Sequence, residues 1–133
     1  MATSRVERRR VPTSAPWASI VGYSRAVRVG DVVHVSGTAP VDGSGVVLYP
    51  DDLYRQTRRC LEIIVDALRA AGAAAEDVVR TRVYLTDITR WEEAGRAHGE
   101  VFGGARPATS FVQVAALIDP AMLVEVEAEA IVG

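Results

Sequence analysis

The sequence predicts a single α+β domain spanning residues 1–133, a mixed sheet covered on one face by two helices in the order β-β-β-α-β-α-β-β. Three patterns carry that expectation. Apolar residues recur at three- and four-residue intervals from Leu53 to Leu68, the period of a helix with one buried face. Residues 123–132 alternate strictly between two sides, the period of a strand. Short β-branched runs joined by glycine-bearing turns precede the first long helix. The 133 residues are 49% hydrophobic and 24% charged, which suits one core, since a chain of this size buries roughly two thirds of its unfolded surface.

In chain order, Arg25 to Val29 and Val32 to Ser36 read as a hairpin turning at Gly30-Asp31. A turn at Val41–Gly45 leads to a short strand near Val46 to Leu48, which Pro50 ends. Asp51 or Asp52 caps the following helix, whose stripe is Leu53, Thr57, Cys60, Leu61, Ile64 and Leu68 and whose end falls at Gly72. Cys60 lies on that stripe and reads as a core thiol rather than a nucleophile. Val78 to Thr86 reads as a strand with Val79, Thr81, Val83 and Leu85 on one side. Thr89-Arg90-Trp91-Glu92 has capping-box spacing and opens a second helix, with Trp91, Ala94, His98, Val101 and Phe102 buried and Gly103-Gly104 closing it. His98 there reads as a hydrogen-bonded packing residue.

Strands at Thr109 to Leu117 and Leu123 to Val132 complete the sheet. On the last, Val124, Val126, Ala128, Ala130 and Val132 face the core, leaving Glu125, Glu127 and Glu129 on the other side. Together with Tyr84, Phe111, Leu123 and Ile131, that second face is apolar enough to require a partner, so an oligomer is expected to bury it.

Composition removes whole classes of chemistry. All 15 basic residues are Arg, so no lysine Schiff base or phosphate-loop lysine exists. The lone cysteine rules out a disulfide framework and fits a reducing cytoplasm. Two distant histidines without ligand spacing suggest no metal. A net charge of −2 disfavours nucleic acid, although Arg5, Arg8, Arg9 and Arg10 form a local basic cluster that reads as a solvated arm or edge strand. No apolar stretch approaches the ~20 residues of a membrane span, and the first ten residues lack a signal-peptide core.

The order and spacing of Gly22-Tyr23-Ser24-Arg25-Ala26-Val27-Arg28-Val29-Gly30, Val35-Ser36-Gly37-Thr38-Ala39-Pro40, Gln56-Thr57, Asp77–Asp87, Arg106-Pro107-Ala108 and Val124–Ala128 resemble the Rid proteins, also called the YjgF or L-PSP endoribonuclease family. The resemblance spans nearly the whole chain. It implies a chorismate-mutase-like fold and a homotrimer with its sheets forming a central barrel, helices outside, and small-molecule clefts between subunits. It also implies cofactor-free hydrolysis of 2-enamines and 2-imines to 2-oxo acids and ammonia. In that chemistry an arginine pairs with the substrate carboxylate, a glutamate on the last strand handles protons, backbone amides steady the ligand and a tyrosine closes the pocket.

By position the tyrosine falls on Tyr23, the Ser-Gly pair on Ser36 and Gly37, and the acid/base glutamate on Glu125. The arginine does not carry over, because Thr109 stands in its place. Phe111 replaces a common cysteine and Gly95 a common asparagine. Losing a guanidinium fork removes ~3 kcal/mol, a hundredfold or more, so small 2-imino acids are not expected to be efficient substrates and the cleft is expected to be more aromatic. Arg25 and Arg106 are the candidate substitutes. His34 reads as a barrel-lining residue. Three functions remain: hydrolysis of another imine, enamine or carbonyl compound with Glu125 as acid/base; binding of a small carboxylate or carbonyl ligand without turnover; and, least favoured, RNA cleavage.

Overall fold

The computed structural model describes residues 6–133. Its elements are β1 (Arg8–Val11), α1 (Ala18–Val21), β2 (Ala26–Val29), β3 (Val32–Thr38), α2 (Leu53–Ala70), β4 (Val78–Leu85), α3 (Trp91–Phe102), β5 (Ala108–Gln113) and β6 (Val124–Ile131). They form the expected α+β layers: one six-stranded sheet, ordered β1-β2-β3-β6-β4-β5, with α2 and α3 on one face. The β4–β5 pair is parallel, while β6 runs antiparallel between β3 and β4. Each long helix is therefore a crossover that returns the chain to the sheet in the same direction.

Alternation on β6 holds as expected: Val124, Val126, Ala128 and Ala130 are at most 1% exposed, against Leu61, Ile64 and Leu68 of α2. Each buried Val, Leu or Ile among them contributes roughly 1.5–3 kcal/mol. The Asp52 carboxylate accepts from the Arg55 amide at 3.0 Å and so opens α2. Cys60 is fully buried, and that burial holds its thiol far above the usual range, as a core thiol requires.

Several local expectations are corrected. The first of the three opening strands is β1, whereas the edge-strand reading of the Arg8–Arg10 cluster holds; Arg5 lies outside the described residues. Val46–Leu48 supplies only an isolated bridge, Val41 to Val47. The β4–β6 register shifts between Val78 and Arg80, which turns Val79 outward, 43% exposed, and places Val78 in the core. Asp87, rather than Thr89, caps the turn before α3, accepting from both the amide and the hydroxyl of Thr89. Trp91 consequently starts α3 outside the core, while Ala97 is buried in its stead. The strand expected from Thr109 to Leu117 ends at Gln113.

Among the described residues, no helix is long and apolar enough to cross a membrane. No cluster of His, Cys, Asp and Glu among them could hold a metal ion.

Candidate functional site

The site begins at an irregularity in β3. Val35 pairs with Ala128 and Thr38 with Val126, so Ser36 and Gly37 stand against one residue of β6, an extra residue that bends the strand. Into the space over Gly37 folds the Glu125 side chain. A Cβ at position 37 would lie 3.0 Å from the Glu125 Cδ and 3.1 and 3.3 Å from its two oxygens, so only glycine leaves this carboxylate in place. Gly37→Ala is expected to displace Glu125 and lower turnover while sparing thermal stability; a crystal structure of the variant reads the displacement directly.

Glu125 projects from the face of β6 opposite the helices and makes no hydrogen bond or ion pair with the described residues. Burial raises its carboxyl above the usual value, Glu127 on the same face adds to the rise, and the Arg25 charge opposes it. A carboxyl poised in this way exchanges protons closer to neutrality than an exposed one.

Arg25 is 9% exposed and is held from three sides. Its Nη1 donates to the Gly37 carbonyl at 2.9 Å and the Thr38 hydroxyl at 2.8 Å, and its Nη2 donates to the Tyr23 hydroxyl at 3.2 Å. Three of the five guanidinium N–H groups are thus used, leaving two for another acceptor. The Tyr23 oxygen also accepts from Trp17 Nε1 at 2.8 Å, so its own proton is free to be donated elsewhere. Arg25, Gly37 and Glu125 share a cavity of about 330 Å³, walled by residues 11–15, Trp17, the Thr38–Gly43 loop and one side of α2. Just outside this lining Gly45, at φ +83, packs against Pro16: a Cβ there would fall 2.7 Å from the proline ring.

Of the remaining candidates, Ser36 donates its hydroxyl to the Ser24 carbonyl at 2.7 Å and ties β3 to the segment leading into β2. His34 is exposed on the uncovered sheet face, opposite Glu129. Thr109 and Phe111 stand apart from Glu125. The parallel register sets them opposite Thr81 and Val83, both fully buried on the helix side, so the expectation that Phe111 shares the uncovered face with Tyr84 is corrected: Val112 takes that place. Arg106 is exposed beside this second group, at φ +50. Within one chain the structure gathers Tyr23, Arg25, Gly37 and Glu125 at one end of the sheet and Arg106, Thr109 and Phe111 at its β5 edge.

Sequence reasoning missed Trp17 and Gln56. Trp17 precedes the four-residue α1, too short to show a period. Gln56 is fully buried in α2, where it bonds the backbone of residues 48, 49, 121 and 123. Its place on the apolar stripe, one position from Thr57, was the available signal.

Residues 13–132 match the family described as endoribonuclease L-PSP. A crystal structure from Mycobacterium tuberculosis, of a member of the YjgF/YER057c/UK114 family, superposes with a TM-score of 0.86 at 49% identity, covering 95% of this chain and all of that one. A RutC family protein of Pyrococcus abyssi is 36% identical over 80% of this chain and 83% of its own length. The Escherichia coli protein TdcF, solved with bound serine, superposes with a TM-score of 0.77 at 28% identity, covering 98% and 100% of the two chains. With the six-stranded mixed sheet, the two crossover helices and a family match running almost from end to end, this chain belongs to the endoribonuclease L-PSP family, the YjgF or Rid proteins.

Proposed function

We propose that the protein is a cofactor-free hydrolase of an imine or enamine larger than the small 2-imino acids, with Glu125 as the proton-transfer group and Arg25 as the anchor for an anionic substituent. The observation that carries this reading is the pairing, in one cavity, of an unpartnered carboxyl with raised proton affinity and a buried guanidinium with two unused donors. On the protonated imine, Glu125 takes one proton from water as the water oxygen bonds to the imine carbon, giving a neutral carbinolamine. Glu125 returns that proton to the amino nitrogen, then takes the hydroxyl proton as the C–N bond breaks, so a carbonyl compound and ammonia leave, and the last proton passes from Glu125 to the departing ammonia. Tyr23 holds the Arg25 guanidinium, and Trp17 forms part of the cavity wall. Assembly as a homotrimer, with clefts completed by a neighbouring copy, belongs to this proposal and fits the sheet face that α2 and α3 leave uncovered.

The test is a series of imines generated by an amino-acid oxidase, with semicarbazide trapping whatever escapes the enzyme. Bulky or aromatic imino acids should be hydrolysed faster than 2-iminobutyrate. The small substrate is expected to react about a hundredfold more slowly than with a Rid protein bearing arginine at the Thr109 position. Rapid turnover of 2-iminobutyrate would overturn the size assignment, and no acceleration of any imine would overturn hydrolysis. In that event binding without turnover stands, a reading favoured by the serine found in TdcF.

A further inference from the structure

The cavity beside Glu125 holds one charge that neither the reaction nor the fold uses. Five charged side chains line it: Arg25, Asp42, Arg59, Asp66 and Glu125. Two of them are taken up by the fold. The Asp42 carboxylate accepts from the amides of Ser44 and Val46 at 2.8 and 3.0 Å and closes its own turn. Arg59 donates from Nε to the Val41 carbonyl at 2.9 Å and from Nη1 to Glu62 at 3.3 Å. Arg25 and Glu125 carry the anchoring and the proton transfer described above, which leaves Asp66.

Asp66 stands on the wall that α2 supplies. Arg59, Ile63 and Asp66 follow one another at four- and three-residue steps along one side of that helix, a run of about 10 Å at 1.5 Å per residue. The Asp66 carboxylate makes no hydrogen bond or ion pair with the described residues, and Arg69, one turn further on, does not pair with it. It lies exposed at the rim, where water solvates it until a ligand arrives. The walls it shares with the cavity floor are apolar, from Val11, Val41, Ile63 and Ala67. Val11 adjoins that floor directly, since its carbonyl accepts the Arg25 amide at 2.7 Å.

We propose, on the hydrolase reading above, that Asp66 determines specificity by selecting imino acids whose bulky side chain ends in a cation, an ammonium or a guanidinium. With the anionic substituent at Arg25 and the imine carbon at Glu125, the side chain runs along the apolar walls and its terminal N–H groups donate to the Asp66 carboxylate. A neutral terminus forgoes that bond, and an anionic one is repelled. Because Asp66 is at the rim, water and salt screen the attraction, so the preference is modest and depends on ionic strength.

The imines of 4-(aminomethyl)phenylalanine and 4-methylphenylalanine, which differ by one charge at the far end of the ring, are generated by an amino-acid oxidase and their hydrolysis is followed. The parent protein should favour the cationic imine in kcat/KM by about three- to fivefold, chiefly through KM, and about 0.5 M salt should shrink that preference. Asp66→Asn should bring the ratio to one with the rate for the 4-methyl imine unchanged, and Asp66→Arg should reverse it. The stable carboxylates 3-[4-(aminomethyl)phenyl]propanoate and 3-(4-methylphenyl)propanoate, titrated by nuclear magnetic resonance, repeat the comparison without turnover. A cation preference in binding that Asp66→Asn abolishes, with neither imine hydrolysed, supports the role of Asp66 and overturns hydrolysis. Hydrolysis of both imines without a preference, or a preference that survives Asp66→Asn, overturns the role of Asp66 and leaves the hydrolase reading standing.

Discussion

Glu125→Gln is expected to lower kcat for the best imine by about 100- to 10,000-fold, the contribution of a positioned acid/base group, while leaving ligand affinity almost unchanged. Glutamine keeps the size of the side chain over Gly37 and removes only its capacity to take and return a proton. An unchanged kcat overturns the assignment; equal losses of kcat and affinity would make Glu125 a binding group instead. The same variant has a stability signature. The folded carboxyl holds its proton more tightly than the unfolded one, so Glu125 disfavours folding as the pH rises from the unfolded value through the folded one. Thermal melts should show Glu125→Gln more stable than the parent at about pH 7.5, with the gap closing below about pH 4.

The second large effect is expected at Gln56, which no solvent reaches. Its Nε2 lies 3.2, 3.3 and 3.0 Å from the carbonyls of Leu48, Tyr49 and Ala121, and its Oε1 accepts from the Leu123 amide at 2.8 Å. One side chain thus pins the loop entering α2 and the start of β6, two residues before Glu125. Gln56→Leu matches its bulk but strands these backbone groups, each costing roughly 1–3 kcal/mol when left unpaired. A loss of about 3–5 kcal/mol in denaturant titration is expected. Imine turnover should fall further than the folded fraction accounts for, because the β6 start no longer holds Glu125 in register. A stability loss under about 1 kcal/mol would show that water replaces these bonds.

How much of this was legible beforehand follows from the range of each interaction. Elements set by their own periodicity, α2 and β6 above all, were readable because burial of one face imposes the repeat. The fold class, the family and the positions of Tyr23, Gly37 and Glu125 came from the order of short motifs. Features that depend on a partner far along the chain were not readable. Val79 has the same residue type as its neighbour Val78, and only the bulge against β6 decides which is buried. Phe111 alternates correctly with its neighbours, yet which face the alternation assigns it depends on the β4–β5 register. Arg25 looks like any strand-end arginine until Gly37, Thr38 and Tyr23 close around it.

The contact between Gly45 and Pro16 lies outside the reacting groups yet joins the segment that ends at Trp17 to the turn beyond Ala39. A methyl group at position 45 would press on the Pro16 ring and shift the segment that carries Trp17, and with it the Trp17–Tyr23 hydrogen bond, while Glu125 keeps its place over Gly37. The set of this wall and the placement of the carboxyl over Gly37 are therefore governed by different residues.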